Sequence, residues 1–509
     1  MSSENEQVRK NLVFNILSLL ANIAVGIFYT PFLVKSLGVV AYGVIPLALI
    51  INQYIGVITG SLTGALTRFY SIALQKNDKL EASKSLSTSF IVITAIVLLL
   101  VVPIYILIEN VDKIFTIPKE LVNDSKKLFF FTAISFVFSL YTSIFNVTLY
   151  AFNRLDLLNI VKIIRVTGKW LFVLFIYSFI SVNVAYVGLA NLLTELFLLV
   201  FSIIVFSRFS KGKVSLSLKK YDTAVLKAIG FMALWTIVHQ LGDTALYRID
   251  NILVNIFWSS KESGILGAFT ELGNYTIVIS TVIGSLFGPL ILIAYANNRH
   301  EEVKQMTLDR SLSVGILVAV MSGVLAGFSP ILLKIWLGEE FVEYNAWLIL
   351  KLFLVPFYAS AGVFSFAARA FNKVRFPAIM TVGFGFLNFS LLYGLAFFAN
   401  QNLDYINWML TVALIIGIGQ SYFLNGLYFS KFYEGTRRQV LINFLKILLV
   451  LFGVFLVTSQ LTSTIQEVNS VVLILLKILI ISLILLLICL KVFLNKSQYS
   501  SLVNLIYKK

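Results

Sequence analysis

A single cysteine, Cys489, and two histidines, His239 and His300, are all that 509 residues offer to thiol or soft-metal chemistry. One thiol cannot close an intramolecular disulfide, and one Cys with two His is too few for a zinc cluster. Charge is also scarce: 13% of residues are Asp, Glu, Lys or Arg against 59% hydrophobic, at a mean hydropathy of +0.92. A soluble domain uses roughly twice that charged fraction to cover its surface, so a water-soluble fold is excluded. Long polar connections are missing as well. The extracytoplasmic stretch 109–127 and the cytoplasmic stretch 207–227 are the most extended, and neither can fold into a soluble catalytic domain. No Gly-rich phosphate loop precedes a Lys-Ser/Thr pair. The chain is therefore expected to be no enzyme, to hold no metal or resident cofactor, and to draw any energy from an H+ or Na+ gradient, the membrane potential or its substrate's own gradient.

What is present in quantity is membrane-length hydrocarbon. Fourteen apolar segments cover 12–34, 42–66, 87–108, 128–151, 158–180, 185–207, 228–257, 266–295, 311–336, 346–369, 376–398, 408–431, 440–458 and 471–494. Residues 12–34 show no small-residue cleavage site and read as a retained first helix rather than a signal peptide. Lys and Arg collect in alternate connections: Arg9/Lys10, Lys76/Lys79/Lys84, Arg154, Arg208/Lys211/Lys213/Lys219/Lys220, and onward to the tail Lys508/Lys509. The stretches 181–184, 399–407 and 459–470 carry none, and the four Lys of 109–127 are offset by four acids. This is the positive-inside pattern, and it places both termini in the cytoplasm. The net charge of +16 is then mostly topology, with some attraction to anionic lipid headgroups, and not a nucleic-acid footprint.

Two short sequences recur in the same order. Gly60-Ser61-Leu62-Thr63-Gly64 returns as Gly284-Ser285-Leu286-Phe287-Gly288, and Ala151-Phe152-Asn153-Arg154 returns as Ala370-Phe371-Asn372-Lys373. Each pair lies six segments apart, so the two halves share one orientation, as in transporters built from parallel repeats. The expected organisation is a first six-helix bundle over 1–206, a basic cytoplasmic linker over 207–227, a second bundle over 228–432, and helices 13 and 14 with a basic tail over 433–509. Gly56/Gly60/Gly64 and Gly323/Gly327 are expected to bring helices close. Pro46, Pro289, Pro330 and Pro356 are expected as kinks within helices.

A charge at mid-bilayer costs at least roughly 2.5–3.5 kcal/mol, so each requires a reason. The fifth segment carries Lys162, Arg165 and Lys169 at i, i+3 and i+7, and the sixth carries Glu195. A structural Lys169–Glu195 ion pair and a substrate or coupling role are equal readings, with Lys162 snorkelling to the cytoplasm. The seventh is the most polar: a continuous helix places His239, Asp243, Tyr247 and Asp250 on one face, with Arg248 projecting toward another helix or the outer surface. Asp243 either pairs with a cation or takes up H+ or Na+, and His239 is either a packing histidine or a proton relay. Arg68 closes the second segment as an anchor or, facing inward, as a fork for a diphosphate. Lys351 and Glu271 are expected at the rim.

The sequence resembles the Wzx-type polysaccharide flippases of the MOP (multidrug/oligosaccharidyl-lipid/polysaccharide) exporter superfamily, which also holds the lipid II flippase and the MATE exporters. The resemblance rests on Tyr29-Thr30-Pro31-Phe32-Leu33 running into Leu37-Gly38 and Tyr42-Gly43, on Asp250-Asn251-Ile252-Leu253 followed by Gly264-Ile265-Leu266-Gly267, and on Ile335-Trp336-Leu337-Gly338-Glu339-Glu340-Phe341. It implies an all-α integral membrane fold of about fourteen helices, two parallel six-helix pseudo-repeats plus two C-terminal helices, forming a V around a cationic cavity. It also implies transport of undecaprenyl-diphosphate-linked oligosaccharide (O-antigen, capsule or another surface polysaccharide unit) from inner to outer leaflet of the bacterial cytoplasmic membrane. Arg68, Arg165, Lys169 and Arg248 are then the diphosphate candidates. Glu195, Asp243, Asp250 and His239 are the coupling or ion-pair candidates. Partners would be the lipid-linked glycan, membrane lipids, and a polysaccharide polymerase and glycosyltransferases. The first helix has Asn15 and Asn22 but neither the Arg of the lipid II branch nor the acid of many MATE exporters. A MATE-like antiporter is the alternative, and acids would then dominate the lumen. A membrane polymerase or ligase would need a large extracytoplasmic loop.

Overall fold

The computed structural model describes residues 2–210, 214–285, 291, 294–295, 297–371, 373, 375–466, 470–495 and 498. Every one of the fourteen apolar segments contains a long helix, and no strand occurs among the described residues. In chain order these are α1 Ser2–Leu37, α2 Val44–Gln75, α3 Lys79–Glu109, α4 Val122–Ala151, α5 Leu155–Phe179, α6 Ala185–Ser210 and α7 Thr223–Tyr247. They continue with α8 Ser260–Ser285, α9 His300–Gly327, α10 Asn345–Ala370, α11 Arg375–Phe397, α12 Asp404–Ile418, α13 Thr436–Gln466 and α14 Val471–Phe493. Among the described residues, ten helices are long and apolar enough to cross a membrane; α5, with Lys162, Arg165 and Lys169, and α7, with His239 and Asp243, are not among them. The chain is a multi-pass membrane protein.

Contacts gather the chain into two compact units, Met1–Thr244 with Asn251–Gly264, and Ala245–Asp250 with Ile265–Lys509. In the first unit, Leu66, Tyr70, Leu86, Ile93, Leu140 and Ile144 interlock α2, α3 and α4. α3 begins on a side-chain cap: Asp78 accepts the Glu81 N–H at 2.9 Å, satisfying one donor that a helix start leaves open. Two of the sequence phrases quoted above meet here. Gly43, just after the short helix Val39–Tyr42, lies against the Ser260 carbonyl and the first turn of α8. A Cβ on Gly264 would come to 3.0 Å from the Gly43 Cα. Beside them Asn251 and Ser263 exchange two hydrogen bonds of 3.0 Å, and Asn255 accepts the Thr116 N–H at 3.0 Å.

In the second unit α9 and α13 run parallel and close. Asn443 donates to the Leu308 carbonyl at 3.1 Å, Thr458 to Gly323 at 3.3 Å and Thr462 to Gly327 at 3.0 Å. A Cβ on Gly323 would meet the Leu451 carbonyl at 3.0 Å, so Gly323 and Gly327 are contact glycines, as their spacing implies. The phrase ending in Gly338-Glu339-Glu340-Phe341 is a corner: Gly338 has φ 132°, a conformation open to glycine alone, and Phe341 packs into the interior. Gly338→Ala is expected to cost about 1–3 kcal/mol, read as a lower melting temperature in detergent, while Gly383→Ala, whose Cβ meets nothing within 4 Å, leaves it unchanged or raised.

The repeat is visible as turn geometry. Asn153 sits at φ 54°, and the Arg154 N–H reaches back to Leu149 at 2.8 Å; in the second copy the Lys373 N–H reaches Ala368 at 2.9 Å. Phe152 packs on Phe209 at 6.0 Å, and Phe371 on Phe429 at 6.4 Å. A pair unmarked by the sequence pattern joins them: Asn77 at φ 58° before α3 and Asn298 at φ 57° before α9 close matching turns. Asparagine serves there because its short polar side chain tolerates the left-handed region that ends a helix. Leu286, Phe287 and Gly288 of the second glycine phrase, with Pro289 and Asn372, lie outside the described residues.

Two proline expectations are corrected. Pro330 lies in the first turn of the short helix Ser329–Trp336 and Pro46 in the first turn of α2, where no N–H is needed. Among the described residues, the prolines inside helices are Pro31, Pro103 and Pro356.

Candidate functional site

The mid-helix charges gather in two places, one in each unit. In the first, the α5 side chains diverge. Arg165 grips Glu195 of α6 with both arms of its fork, Nε to Oε1 at 2.5 Å and Nη2 to Oε2 at 3.0 Å. The Lys169 ammonium lies 5.0 Å from the centroid of the Tyr29 ring on α1, and Lys162 donates to Asn159 at 3.3 Å. The expected Lys169–Glu195 pair is therefore replaced by Arg165–Glu195. Register is the reason: Gly168 lets α5 approach Thr194, where a Cβ would come to 3.3 Å of its methyl, and that contact sets Arg165 opposite Glu195. Spacing along one helix cannot reveal which turn faces a neighbour.

Glu195 is nearly enclosed, at 11% side-chain exposure, whereas Arg165 keeps 40%. The Arg165 side chain thus stays partly exposed while its charge is balanced by the more enclosed Glu195. One turn of α7 holds a second polar pair, His239 Nδ1 to Asp243 Oδ2 at 3.1 Å, with both side chains partly exposed.

The second place lies in the second unit and surrounds a break in the helix. α7 ends at Tyr247, Arg248 bends, and a new helix runs Ile249–Phe257. Asp250 therefore lies past the break, in the Ile249–Phe257 helix, and not in one continuous helix with His239 and Asp243 as the sequence suggested. It pairs instead with Lys351 of α10, with side-chain exposures of 15% for Lys351 and 6% for Asp250. Lys351 is thus a partly buried counter-ion to Asp250. Arg248 does meet another helix, donating to Asn274 of α8 at 3.0 Å. Tyr247 donates to Gln420 at 3.0 Å, Gln420 donates to Thr381 at 2.7 Å, and the Tyr247 ring stands edge-on to Tyr358 at 5.2 Å. Gln420 is delivered by a π-helical turn, Gly419–Leu424, that follows α12. Asn388 closes the set on the Leu246 carbonyl at 3.0 Å.

The side chain of Arg68 lies outside the described residues. Sequence spacing missed Tyr29, Asn274, Gln420 and the role of Lys351. Each sits apart along the chain from its partner, and no local spacing pairs the two, although Tyr29 opens one of the phrases quoted above. Among the described residues no group of three His, Cys, Asp or Glu could hold a metal ion.

No family model matches the sequence. A solved lipid II flippase MurJ, in an inward closed conformation, matches with a TM-score of 0.68 at 17% identity, over 97% of this chain and 100% of that one. An inward-facing multidrug resistance MATE family transporter of the MOP superfamily matches at 0.66 and 15% identity, over 82% of this chain and 96% of that one. The chain has the MOP fold. Its sequence relatives include the "Uncharacterized membrane protein EpsK" of Bacillus subtilis (strain 168), 24% identical over 413 residues, 80% of each chain. They also include the "Putative O-antigen transporter" of Shigella flexneri, 23% identical over 388 residues, 73% of this chain and 87% of that one. Where these relatives and MOP neighbours carry a named activity it is transport or lipid flipping, not enzymatic catalysis.

Proposed function

We propose that this chain carries an undecaprenyl-diphosphate-linked oligosaccharide from the inner to the outer leaflet of the bacterial cytoplasmic membrane by alternating access, with both its termini in the cytoplasm. The Arg165–Glu195 fork carries the reading. A guanidinium within a membrane-spanning helix is costly unless paired, and its two parallel donors fit a diphosphate as well as a carboxylate. Glu195 balances Arg165 when no substrate is bound, and a diphosphate reaching the partly exposed Arg165 side chain competes for the same donors. Lys162 and Lys169, within two turns of it on α5, add positive charge for the second phosphate. Glu195, once displaced, and the His239–Asp243 pair are the two candidates for coupling to an ion gradient. A polymerase and glycosyltransferases would act on either side of this step. The O-antigen transporter relative and the full-length likeness to a lipid II flippase both support it.

Deletion of the gene is expected to leave lipid-linked glycan in the inner leaflet and to remove surface glycan. Complementation with Arg165→Ala should lower export roughly ten- to hundred-fold, the loss of one charge-assisted bidentate contact, with Arg165→Lys intermediate. Normal surface glycan in the deletion strain, with no redundant flippase, overturns the reading. The MATE likeness favours a second reading, ion-coupled export of small molecules. Sensitivity of the deletion strain to organic cations with intact surface glycan would select it.

A further inference from the structure

Residues 214–222 join α6 to α7 as a strap laid along the first turns of α3. Three α3 hydroxyls accept its backbone N–H groups: Ser83 from Ser215 at 3.2 Å, Ser87 from Ser217 at 3.1 Å and Thr88 from Asp222 at 3.0 Å. Lys84 bonds Asp222 at 2.8 Å. That ammonium, helped by the N–H groups of Ala224 and Val225, holds the Asp222 carboxyl below the usual carboxylate range. The link therefore persists at neutral pH and is lost only as pH falls through that depressed value. A segment with only one short 3-10 turn, Leu218–Lys220, is thus fixed in place.

With those N–H groups turned toward α3, the strap presents Leu216, Leu218 and Tyr221 outward, at 36%, 70% and 42% exposure. Exposed Lys219 stands among them, Lys220 is held by Ser215 at 2.7 Å, and exposed Arg208 lies on the last turn of α6. The one acid of the strap, Asp222, is already committed to Lys84. Three outward apolar side chains interleaved with cations, tethered between two helices of a membrane protein, match the chemistry of a lipid–water interface. We propose that this face is a docking site for anionic phospholipid: Leu216, Leu218 and Tyr221 sink to the acyl boundary while Lys219 and Arg208 engage headgroup phosphates. Lipid charge then acts on the α3–α6–α7 end of the first unit, whatever the protein transports.

The full chain, reconstituted as Leu218→Cys with Cys489→Ala and labelled with an environment-sensitive fluorophore, tests this. In phosphatidylcholine–phosphatidylglycerol vesicles the label should be blue-shifted and quenched by a shallow lipid-borne quencher, while a label at Lys76→Cys stays in water. Lys219→Glu, or added salt, should weaken quenching by about five-fold or more, the effect of one basic residue at an anionic surface. A water-exposed label at position 218 in both anionic and neutral vesicles overturns the proposal. So does quenching that is equal in pure phosphatidylcholine and indifferent to Lys219→Glu, since the site would then be apolar only.

Discussion

Gly43→Ala is expected to cost about 3 kcal/mol or more and to lower the melting temperature of the detergent-solubilised protein by roughly 6–12 °C, large for one added methyl. The new Cβ would overlap the Ser260 carbonyl, with Gly264 N at 3.0 Å behind it. Neither is a side chain that can rotate away, so relief requires moving the start of α8 or the Val39–Tyr42 helix. Gly264→Ala should be comparable, because its Cβ would meet the Val39 carbonyl at 2.5 Å. Gly394→Ala, with nothing within 4 Å, should leave the melting temperature within error or raised. Equal melting for all three variants would show that the two glycine phrases do not pack as described.

Lys351→Met should destabilise by about 3–5 kcal/mol, since it removes the Lys351 ammonium from the buried Asp250 carboxylate. Asp250→Asn in the same chain should restore much of the loss: a neutral pair forgoes the attraction but also the desolvation of two ions. The four variants of that cycle, compared by melting in detergent, give a coupling energy. A double variant as damaged as the sum of the singles would mean that the ion pair contributes nothing. Since Asp250 adjoins Arg248 and Tyr247, loosening the pair should also weaken the Arg248–Asn274 and Tyr247–Gln420 contacts. That makes it the most sensitive point of the broken helix.

Much of this molecule was legible in its sequence because membranes impose simple rules. Segment length and apolarity were enough to find a long helix in each of the fourteen segments, ten of which, among the described residues, are long and apolar enough to cross a membrane, since a backbone in hydrocarbon must satisfy its hydrogen bonds internally. The tetrapeptides ending in Arg154 and Lys373 mark equivalent corners, because a helix must end in the same turn wherever the architecture repeats. The contact glycines of α9, Gly323 and Gly327, were likewise readable from residue type and spacing, as small residues one turn apart let two helices approach.

Partner choice was not legible. Glu195 belongs to Arg165 and not Lys169 because Gly168 sets the α5–α6 register. Asp250 belongs to Lys351 because α7 breaks at Arg248, and no proline or glycine there announces the break. The sequence by itself determined which segments are helical and which of them carry charge, both consequences of local hydropathy. Only the tertiary structure decided which charges neutralise one another and which, like Arg165, stay partly exposed. Those outcomes turn on ångström-scale offsets between helices far apart in the chain, and no period within one helix encodes them.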